Sequence, residues 1–259
     1  MKIAIIGGGN MGGSIARGLT KGSLVQVENI SVSAATEATL DKLRAFDNRI
    51  KVSIDNTIVV EGADIVIFAV KPWLLDEVVK EVKPVLKTEE QIYVSVLAGV
   101  SFDHLSEILG QDSVLFRVIP NTAIALGESM TVVASHNASS EQESLVLSIF
   151  DEMGKSLLVA ERLMTACTAL GSCGTAFALR YIRAAMEAGI EMGLYPHQAQ
   201  EIVAQTVKGA AELLLQNRSH PEVEIDKVTT PGGITIKGLN EMEHAGFTSA
   251  VIRGLKACK

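Results

Sequence analysis

Three glycines near the start of the chain have the spacing needed to hold a phosphate group. Gly7, Gly9 and Gly12 occupy the three positions of the pattern G-x-G-x-x-G. Gly7 permits a tight turn, Gly9 lets a pyrophosphate approach the backbone, and Gly12 lets a helix pack closely on a strand. Residues 2–7 are predicted to form a buried strand, and a helix is predicted at 14–19. This order predicts a dinucleotide-binding site, with a glycine-rich turn of some other α/β protein as the alternative.

The end of the second predicted strand bears on the choice between the nicotinamide dinucleotides. Chains that select NAD usually place Asp or Glu there, about 20 residues after the glycines, to bind the ribose 2′-hydroxyl. Here the strand 29–33 ends in Ser33, and no acid follows at 34–36. Ser33 and Thr36 can donate hydrogen bonds to a 2′-phosphate, although no arginine is close in sequence. We therefore expect NADP, with NAD as the alternative cofactor and helix capping as the alternative role of both hydroxyls.

The most distinctive stretch of the second half is Thr230–Thr235, with the sequence Thr-Pro-Gly-Gly-Ile-Thr. Pro231 suits the first position of a helix, the two glycines expose backbone amides, and the two threonines add hydroxyl donors. Such a helix start can hold a carboxylate, and the alternative is an ordinary capped helix. None of the five histidines lies in a Ser-His-Asp or H-E-x-x-H arrangement. A carbonyl usually needs a firm proton donor for its reduction, whereas a protonated imine accepts hydride directly, so an imine substrate is favoured.

The elements that position these residues follow from the apolar pattern. Continuous apolar runs in the first 160 residues predict strands that are buried on both faces. They alternate with helical segments, which indicates a parallel, doubly wound sheet of the α/β class. Ligands of such sheets bind beyond the carboxyl ends of the strands. Lys71, Gly99 and Asn121 each follow one of these runs and are therefore expected at the ligand-binding edge.

Strand signals stop near residue 160, which predicts two domains, 1–160 and 161–259. The second domain is predicted to hold three to four helices, at 165–193, 196–217, 235–246 and 247–257, with small residues on their faces. Residues 163–179 carry no charge but fall short of the ~20 apolar residues of a membrane span. We expect this helix to be buried between subunits or domains, and therefore a homo-oligomer.

The overall composition argues against several classes of function. The chain has 259 residues, of which 47% are hydrophobic, and a formal net charge of −7. An acidic chain without basic runs argues against nucleic acids and anionic membranes as partners. The three cysteines are odd in number and include no C-x-x-C pair. We therefore expect neither a metal site nor a disulfide framework, and we predict a cytoplasmic location.

Taken together, the motifs resemble those of the pyrroline-5-carboxylate reductase family over nearly the whole chain. They are the GGGNMG loop at 7–12, Ala69-Val-Lys-Pro72, Leu97-Ala-Gly-Val-Ser101, Arg117-Val-Ile-Pro-Asn-Thr122, and Val228–Thr235 followed by Gly238-Leu239. The resemblance implies an N-terminal Rossmann domain, a C-terminal helical dimerisation domain, and dimers that assemble further into decamers. It also implies hydride transfer from NAD(P)H to the C=N carbon of 1-pyrroline-5-carboxylate, which gives L-proline in the last step of proline biosynthesis.

The resemblance also implies roles for individual residues. Thr235 is the implied proton donor. The substrate carboxylate or ring nitrogen is expected to bind Thr230, Gly232, Gly233, Ile234 and Thr235. The cofactor is expected to contact Gly7, Gly9, Asn10, Met11, Gly12, Ser33, Asn56, Ala69, Val70, Lys71, Pro72, Ala98 and Gly99.

One segment departs from the family pattern. The family usually has Ser-Gly-Ser-Gly-Pro-Ala early in the first C-terminal helix, where this chain has Gly171-Ser-Cys-Gly-Thr-Ala176. Thr175 replaces the proline that normally shapes the helix beside the nicotinamide. This departure keeps two other hypotheses open, a reductase of another cyclic imino acid and a non-catalytic NAD(P)-binding protein. The intact Thr230–Thr235 stretch argues against the second, because a sensor would not need to hold a substrate.

Overall fold

Eight strands in the first part of the chain form one sheet in a computed structural model, which describes residues 1–258. The strands are β1 (Ile3–Ile6), β2 (Ile30–Ser33), β3 (Lys51–Ser53), β4 (Ile65–Phe68), β5 (Ile92–Ser95), β6 (Val114–Ile119), β7 (Ser129–His136) and β8 (Gly154–Leu158). Their order across the sheet is β3-β2-β1-β4-β5-β6-β7-β8. The chain runs outward from β1 to β3 and then returns to the other side of β1 with β4. The switch point at which such sheets bind ligands therefore lies between β1 and β4.

Helices cover both faces of this sheet. They are α1 (Asn10–Leu19), α2 (Glu37–Phe46), α3 (Asn56–Val60), α4 (Leu75–Val82), α5 (Phe102–Leu109) and α6 (Ser140–Asp151). Because successive strand residues point to opposite faces, Ile3 and Ile5 join a buried cluster with α1 and α6. Ala4 and Ile6 join a second buried cluster with α4 and α5. The predicted doubly wound α/β fold is confirmed, and its core lies in these two layers.

Two strands differ from the predicted parallel sheet, because β8 pairs in parallel with β7 and both therefore run opposite to β1–β6. β7 runs antiparallel to β6, whereas the other neighbouring strands pair in parallel. The link between β6 and β7 contains only a short 3-10 helix, Thr122–Leu126. A parallel pair needs a crossover of about a dozen residues or more, so this short link fixes the antiparallel direction.

The chain divides into two compact units after Ser172, whereas the predicted domain boundary after residue 160 stays a prediction. The first unit ends with α7 (Met164–Thr168) and enters a π-helical segment, Ala169–Cys173, so the helix predicted at 165–193 changes from α to π geometry for one turn. The second unit holds α8 (Gly174–Glu191), α9 (Pro196–Asn217), α10 (Pro221–Val228), α11 (Ile234–His244) and α12 (Phe247–Lys256). The sequence analysis missed α10, which the ring of His220 caps by accepting a hydrogen bond from the amide of Glu222 at 3.3 Å.

Three further features of residues 1–258 concern partners and metals. No helix in this range is both long and apolar enough to cross a membrane. The same residues contain no group of three or more His, Cys, Asp or Glu side chains placed to hold a metal ion. Cys167, Cys173 and Cys258 are free thiols.

Candidate functional site

Close backbone contacts shape the glycine loop between β1 and α1. Gly7 has φ of +106°, and the amides of Gly7 and Gly8 donate to the carbonyl oxygen of Ser33 at 3.0 and 2.6 Å. A Cβ on Gly7 would lie 2.7 Å from the carbonyl oxygen of Ala69, and a Cβ on Gly12 would lie 2.1 Å from the carbonyl oxygen of Gly7. Only glycine fits at these two positions, so the first and third glycines of the motif allow the turn and the close packing.

The second glycine of the motif leaves space for a ligand. A Cβ on Gly9 would meet no surrounding heavy atom within 4 Å. Gly9 is also the N-cap of α1 and supplies no side-chain cap. The amides of the first helical turn, which contains Asn10 and Met11, therefore lack an acceptor within the helix. Free amides and the positive end of the helix dipole favour a phosphate, so these residues fit the pyrophosphate of a dinucleotide.

The end of β4 borders the glycine loop. Backbone atoms of Ala69 and Val70 lie 2.7 to 2.9 Å from the position that a Cβ on Gly7 would take. The remaining predicted cofactor residues on this side follow the adjacent parallel strands β4 and β5, and they are Lys71, Pro72, Ala98 and Gly99. Since the carboxyl ends of parallel strands meet at one edge, all six residues lie beyond the edge at which such sheets bind ligands.

The end of β2 carries a chain of hydrogen bonds. Ser33 is fully buried, and its hydroxyl donates to the side-chain oxygen of Asn56 at 2.6 Å. The side-chain amide of Asn56 donates in turn to Glu81 at 2.9 Å. The structure therefore brings together two predicted cofactor residues, Ser33 and Asn56. The single proton of the Ser33 hydroxyl is used within the protein, so a bond from Ser33 to a 2′-phosphate stays a prediction that this arrangement disfavours.

A small polar cavity opens beside the glycine loop. Its volume is about 150 Å³, and its walls are Gly8–Asn10, Arg17 from α1, and Thr39, Lys42 and Leu43 from α2. Arg17, Thr39 and Lys42 were not predicted from the sequence, where a cation was expected only at the tip of β2. The available signal was the helical spacing of residues 39, 42 and 43, which places them on one face of α2.

The stretch Thr230–Thr235 forms a tight turn followed by a helix. The amide of Gly233 donates to the carbonyl oxygen of Thr230 at 2.9 Å. Pro231 and Gly232 lie between them, and Gly232 has φ of +72°. This is the pattern of a type II turn, so Pro231 lies in the turn and not at the first position of the helix, as the sequence had suggested. The helix α11 begins directly after Gly233.

The start of α11 is exposed and lacks a side-chain cap. Gly233 is its N-cap and has no side chain to offer. Ile234 is 87% exposed, and Thr235 beside it is also exposed. Among residues 1–258, the hydroxyls of Thr230 and Thr235 make no hydrogen bond, in contrast to those of Thr229 and Thr248 nearby. Free amides with two free hydroxyls can bind a carboxylate, and the structure brings all five predicted substrate residues into this one stretch.

The segment that departs from the family pattern adopts unusual backbone geometry. Ala169–Cys173 is π-helical, and π turns within helices occur frequently at functional sites. The buried side chain of Asn121 donates to the carbonyl oxygen of Gly171 at 2.9 Å and accepts from the amide of Ala123 at 2.9 Å. Asn121, predicted to lie at the ligand-binding edge, therefore also holds this π-helical turn in place. Thr175 follows in the first turn of α8.

The glycine loop at the switch point of a doubly wound sheet defines a class, the oxidoreductases that bind a nicotinamide dinucleotide in a Rossmann domain. Residues 2–99 match the family described as NADP oxidoreductase, coenzyme F420-dependent. Residues 161–259 match the family described as pyrroline-5-carboxylate reductase dimerisation. With the relatives described next, these matches show that the chain belongs to the pyrroline-5-carboxylate reductase family.

Relatives from distant organisms align over nearly the whole chain. Pyrroline-5-carboxylate reductase 1 of Dictyostelium discoideum is 40% identical over 98% of this chain, which spans about half (48%) of that relative's length. Pyrroline-5-carboxylate reductase of Methanosarcina acetivorans is 36% identical, and the alignment covers 100% of this chain and 97% of the relative. A solved structure of Plasmodium falciparum pyrroline carboxylate reductase with NADP bound is 26% identical, with a TM-score of 0.89 and coverage of 100% and 95%. The family resemblance noted in the sequence is confirmed, and with it the assignment as an oxidoreductase.

Proposed function

We propose that the chain reduces 1-pyrroline-5-carboxylate to L-proline with NADPH, the last step of proline biosynthesis. The observation that carries the proposal is that the chain combines a glycine loop that fits a pyrophosphate with an uncapped helix start at Thr230–Thr235. The first feature binds a dinucleotide, and the second suits the carboxylate of a small imino acid. The family of the chain and the chemistry of its two sites therefore support the same reaction.

Each site has a distinct task in this reaction. The amides at the start of α1 bind the pyrophosphate, and the open space at Gly9 lets it approach. The bound cofactor supplies the hydride that adds to the C=N carbon. The amides at the start of α11, with Thr230, bind the substrate carboxylate and fix the orientation of the ring.

Thr235 has the catalytic role in this proposal. Its free hydroxyl accepts a hydrogen bond from the N–H of the protonated imine and, once hydride has added to the carbon, donates one to the lone pair of the amine nitrogen. The protonated imine is already positively charged, so hydride addition neutralises charge and needs no strong acid nearby. A threonine hydroxyl is therefore a sufficient hydrogen-bond partner for the nitrogen, and the reaction does not require a His-carboxylate pair.

We also propose a homodimer built through the second unit, which matches a dimerisation family. Phe177, Tyr181, Phe247 and Val251 are exposed and line an apolar groove of about 730 Å³ between α8 and α12. An apolar surface of this kind is costly to leave in water, which favours its burial against a second copy. Assembly of such dimers into decamers is a further part of the proposal. A cytoplasmic location remains the proposed compartment, because the free thiols suit a reducing environment.

The direct test is consumption of NADPH by the purified protein. We expect absorbance of NADPH to fall when 1-pyrroline-5-carboxylate is added, with L-proline formed in equal amount. A matched reaction without the imine should show no loss of NADPH. If the protein binds NADPH but consumes none with this substrate, the proposed reaction is wrong. The hypothesis of a non-catalytic NADPH-binding protein would then be favoured.

A further inference from the structure

The cavity between the glycine loop and α2 contains two cations from different elements. Arg17 reaches it from α1, and Lys42 reaches it from α2 beside the hydroxyl of Thr39. The chain as a whole carries a formal net charge of −7. Two positive side chains around one small cavity therefore create a positive potential there, although the protein as a whole is negative. An anionic ligand would need such a local positive potential in order to bind.

Neither cation is neutralised within the part of the chain that the structure describes. The guanidinium of Arg17 donates a hydrogen bond there only to the hydroxyl of Ser14, at 3.4 Å, and neither Arg17 nor Lys42 forms an ion pair with a carboxylate. Other cations of this region behave differently. On the same helix as Lys42, Arg44 pairs with Glu37 at 2.8 Å and with Asp41 at 2.7 Å. The charges of Arg17 and Lys42 are thus available to a ligand.

The position of Lys42 places it near the expected site of the adenosine half of the cofactor. In this fold, the pyrophosphate lies on the amides of α1, and the adenosine ribose lies beyond the end of β2. Thr39 and Lys42 are on α2, the helix that follows β2 directly, and they face the glycine loop across the cavity. The hydroxyl of Ser33, at the tip of β2, already donates its one hydrogen bond to the side-chain oxygen of Asn56. The side chains of α2 that line the cavity are therefore the available donors for a group on the ribose 2′ position.

We propose that Lys42, assisted by Thr39 and by Arg17 from the opposite wall, binds the 2′-phosphate of NADPH and sets the preference for NADPH over NADH. A phosphate monoester carries about 1.5 to 2 negative charges at pH 7. Cations that form charge-assisted hydrogen bonds to it favour NADPH. NADH has only a hydroxyl at this position and gains nothing from them. The inference rests on the proposed use of NADPH but not on the identity of the imine substrate.

The test is nucleotide binding measured by calorimetry without any substrate. We expect Lys42→Ala to weaken NADPH binding by about ten- to a hundredfold, the range for one hydrogen bond to a charged group. NADH binding should change by less than about twofold. Arg17→Ala should act in the same direction, and Lys42→Arg should keep the preference because it keeps the charge.

Two control variants separate this inference from its alternatives. Lys51→Ala removes the same charge from an exposed position on β3, which is not part of the cavity wall, and should leave both affinities unchanged. Ser33→Ala should leave the ratio of the two affinities unchanged, since the Ser33 hydroxyl bonds Asn56. Melting temperatures of the Lys42 and Lys51 variants should stay close to that of the wild type, because both side chains are exposed.

Three results would overturn the inference. An equal loss of NADPH and NADH affinity in Lys42→Ala would mean that the cation binds the shared pyrophosphate. Unchanged NADPH binding in both Lys42→Ala and Arg17→Ala would mean that neither binds the cofactor. If only Ser33→Ala lost the preference for NADPH over NADH, Ser33 at the tip of β2 and not Lys42 would bind the 2′-phosphate. Because no imine is present, none of these results depends on whether pyrroline-5-carboxylate is the substrate.

Discussion

Thr235 is the residue on which the proposed chemistry depends most. Its hydroxyl is exposed at the start of α11 and makes no hydrogen bond within residues 1–258. Thr235→Ala therefore removes no hydrogen bond of the folded protein that the structure describes. We expect turnover with 1-pyrroline-5-carboxylate to fall about ten- to a hundredfold, the effect of losing one hydrogen bond to a charged group. NADPH affinity and melting temperature should stay near the wild-type values, as measured by calorimetry and thermal denaturation.

A control for this variant is available in the same unit. Thr206 is an exposed threonine of α9 whose hydroxyl donates to the carbonyl oxygen of its own helix, at Ile202. Thr206→Ala should keep full turnover. Near-normal turnover in a folded Thr235→Ala variant would show that Thr235 has no catalytic role.

The glycines of the phosphate loop are expected to respond differently to the same substitution. Gly9→Ala adds a methyl group to open space, whereas Gly12→Ala places it 2.1 Å from the carbonyl oxygen of Gly7. We expect Gly9→Ala to keep its melting temperature and to lose about tenfold or more in NADPH affinity, because the methyl group occupies the space of the pyrophosphate. Gly12→Ala should lose about 1–3 kcal/mol of stability or fail to fold, because backbone must shift to admit it. The reverse pattern in melting and binding measurements would contradict this account of the loop.

Individual residues also show where prediction from sequence was possible. The glycine loop could be predicted because its constraints are local, arising from one turn and the helix that follows. Helical spacing places Lys42 on one face of α2, but the packing of that face beside the glycine loop is a tertiary contact that the sequence does not show. Ser33 illustrates the same limit, since the partner of its hydroxyl, Asn56, lies on a different element.

At the scale of elements, the short helix α10 is tied to the end of α9 by one carboxylate. Glu224 is only 9% exposed and accepts hydrogen bonds from Lys227 at 2.8 Å, from Ser219 at 2.5 Å and from Asn217, the last residue of α9, at 3.4 Å. The bonds from Lys227 and then Ser219 lower the pKa of the Glu224 carboxyl below its ordinary value of 4.5. The ionised carboxylate therefore stabilises the fold at pH values above that ordinary value. This contribution is lost as the pH falls through the lower pKa of the folded state.

We predict that Glu224→Gln lowers the melting temperature at pH 7 and that its difference from the wild type shrinks as the pH falls below 4.5. Thermal denaturation across this range measures both effects. Glu201→Gln, an exposed position on α9, is the matched control and should have little effect at any pH. A Glu224→Gln difference that is absent at pH 7, or that grows on acidification, would contradict the assigned role.

The helices and strands were predictable where a local sequence signal marks them. The buried strands of the parallel sheet are continuous apolar runs, and α9 begins with a proline at its first position, so both were predicted. The direction of β7 depends on the short link that contains the 3-10 helix Thr122–Leu126, and the apolar pattern of the strands does not reveal it. The π-helical turn at Ala169–Cys173 depends on a tertiary hydrogen bond from Asn121, which no local pattern reveals.

At the scale of the whole molecule, the exposed groove between α8 and α12 predicts the state of assembly. We expect light scattering at micromolar concentration to give a mass of at least two chains. Val251→Glu places a charge in the groove and should shift the mass toward that of one chain, because burying an unpaired carboxylate is unfavourable. Leu126→Glu, at an exposed position of the first unit, should leave the mass unchanged. A wild-type monomer would refute the proposed dimer.

The transfer of hydride to the imine carbon is the central claim, and isotope labelling tests it most directly. The protein is supplied with 1-pyrroline-5-carboxylate and NADPH carrying deuterium at both hydride positions of the nicotinamide, and the product is examined by mass spectrometry and NMR. We predict L-proline that carries one deuterium on the ring carbon that formed the C=N bond. Unlabelled NADPH in heavy water should put no deuterium on that carbon, because the solvent supplies only the proton on nitrogen. Proline without the label in the first reaction, or no proline at all, would contradict the account.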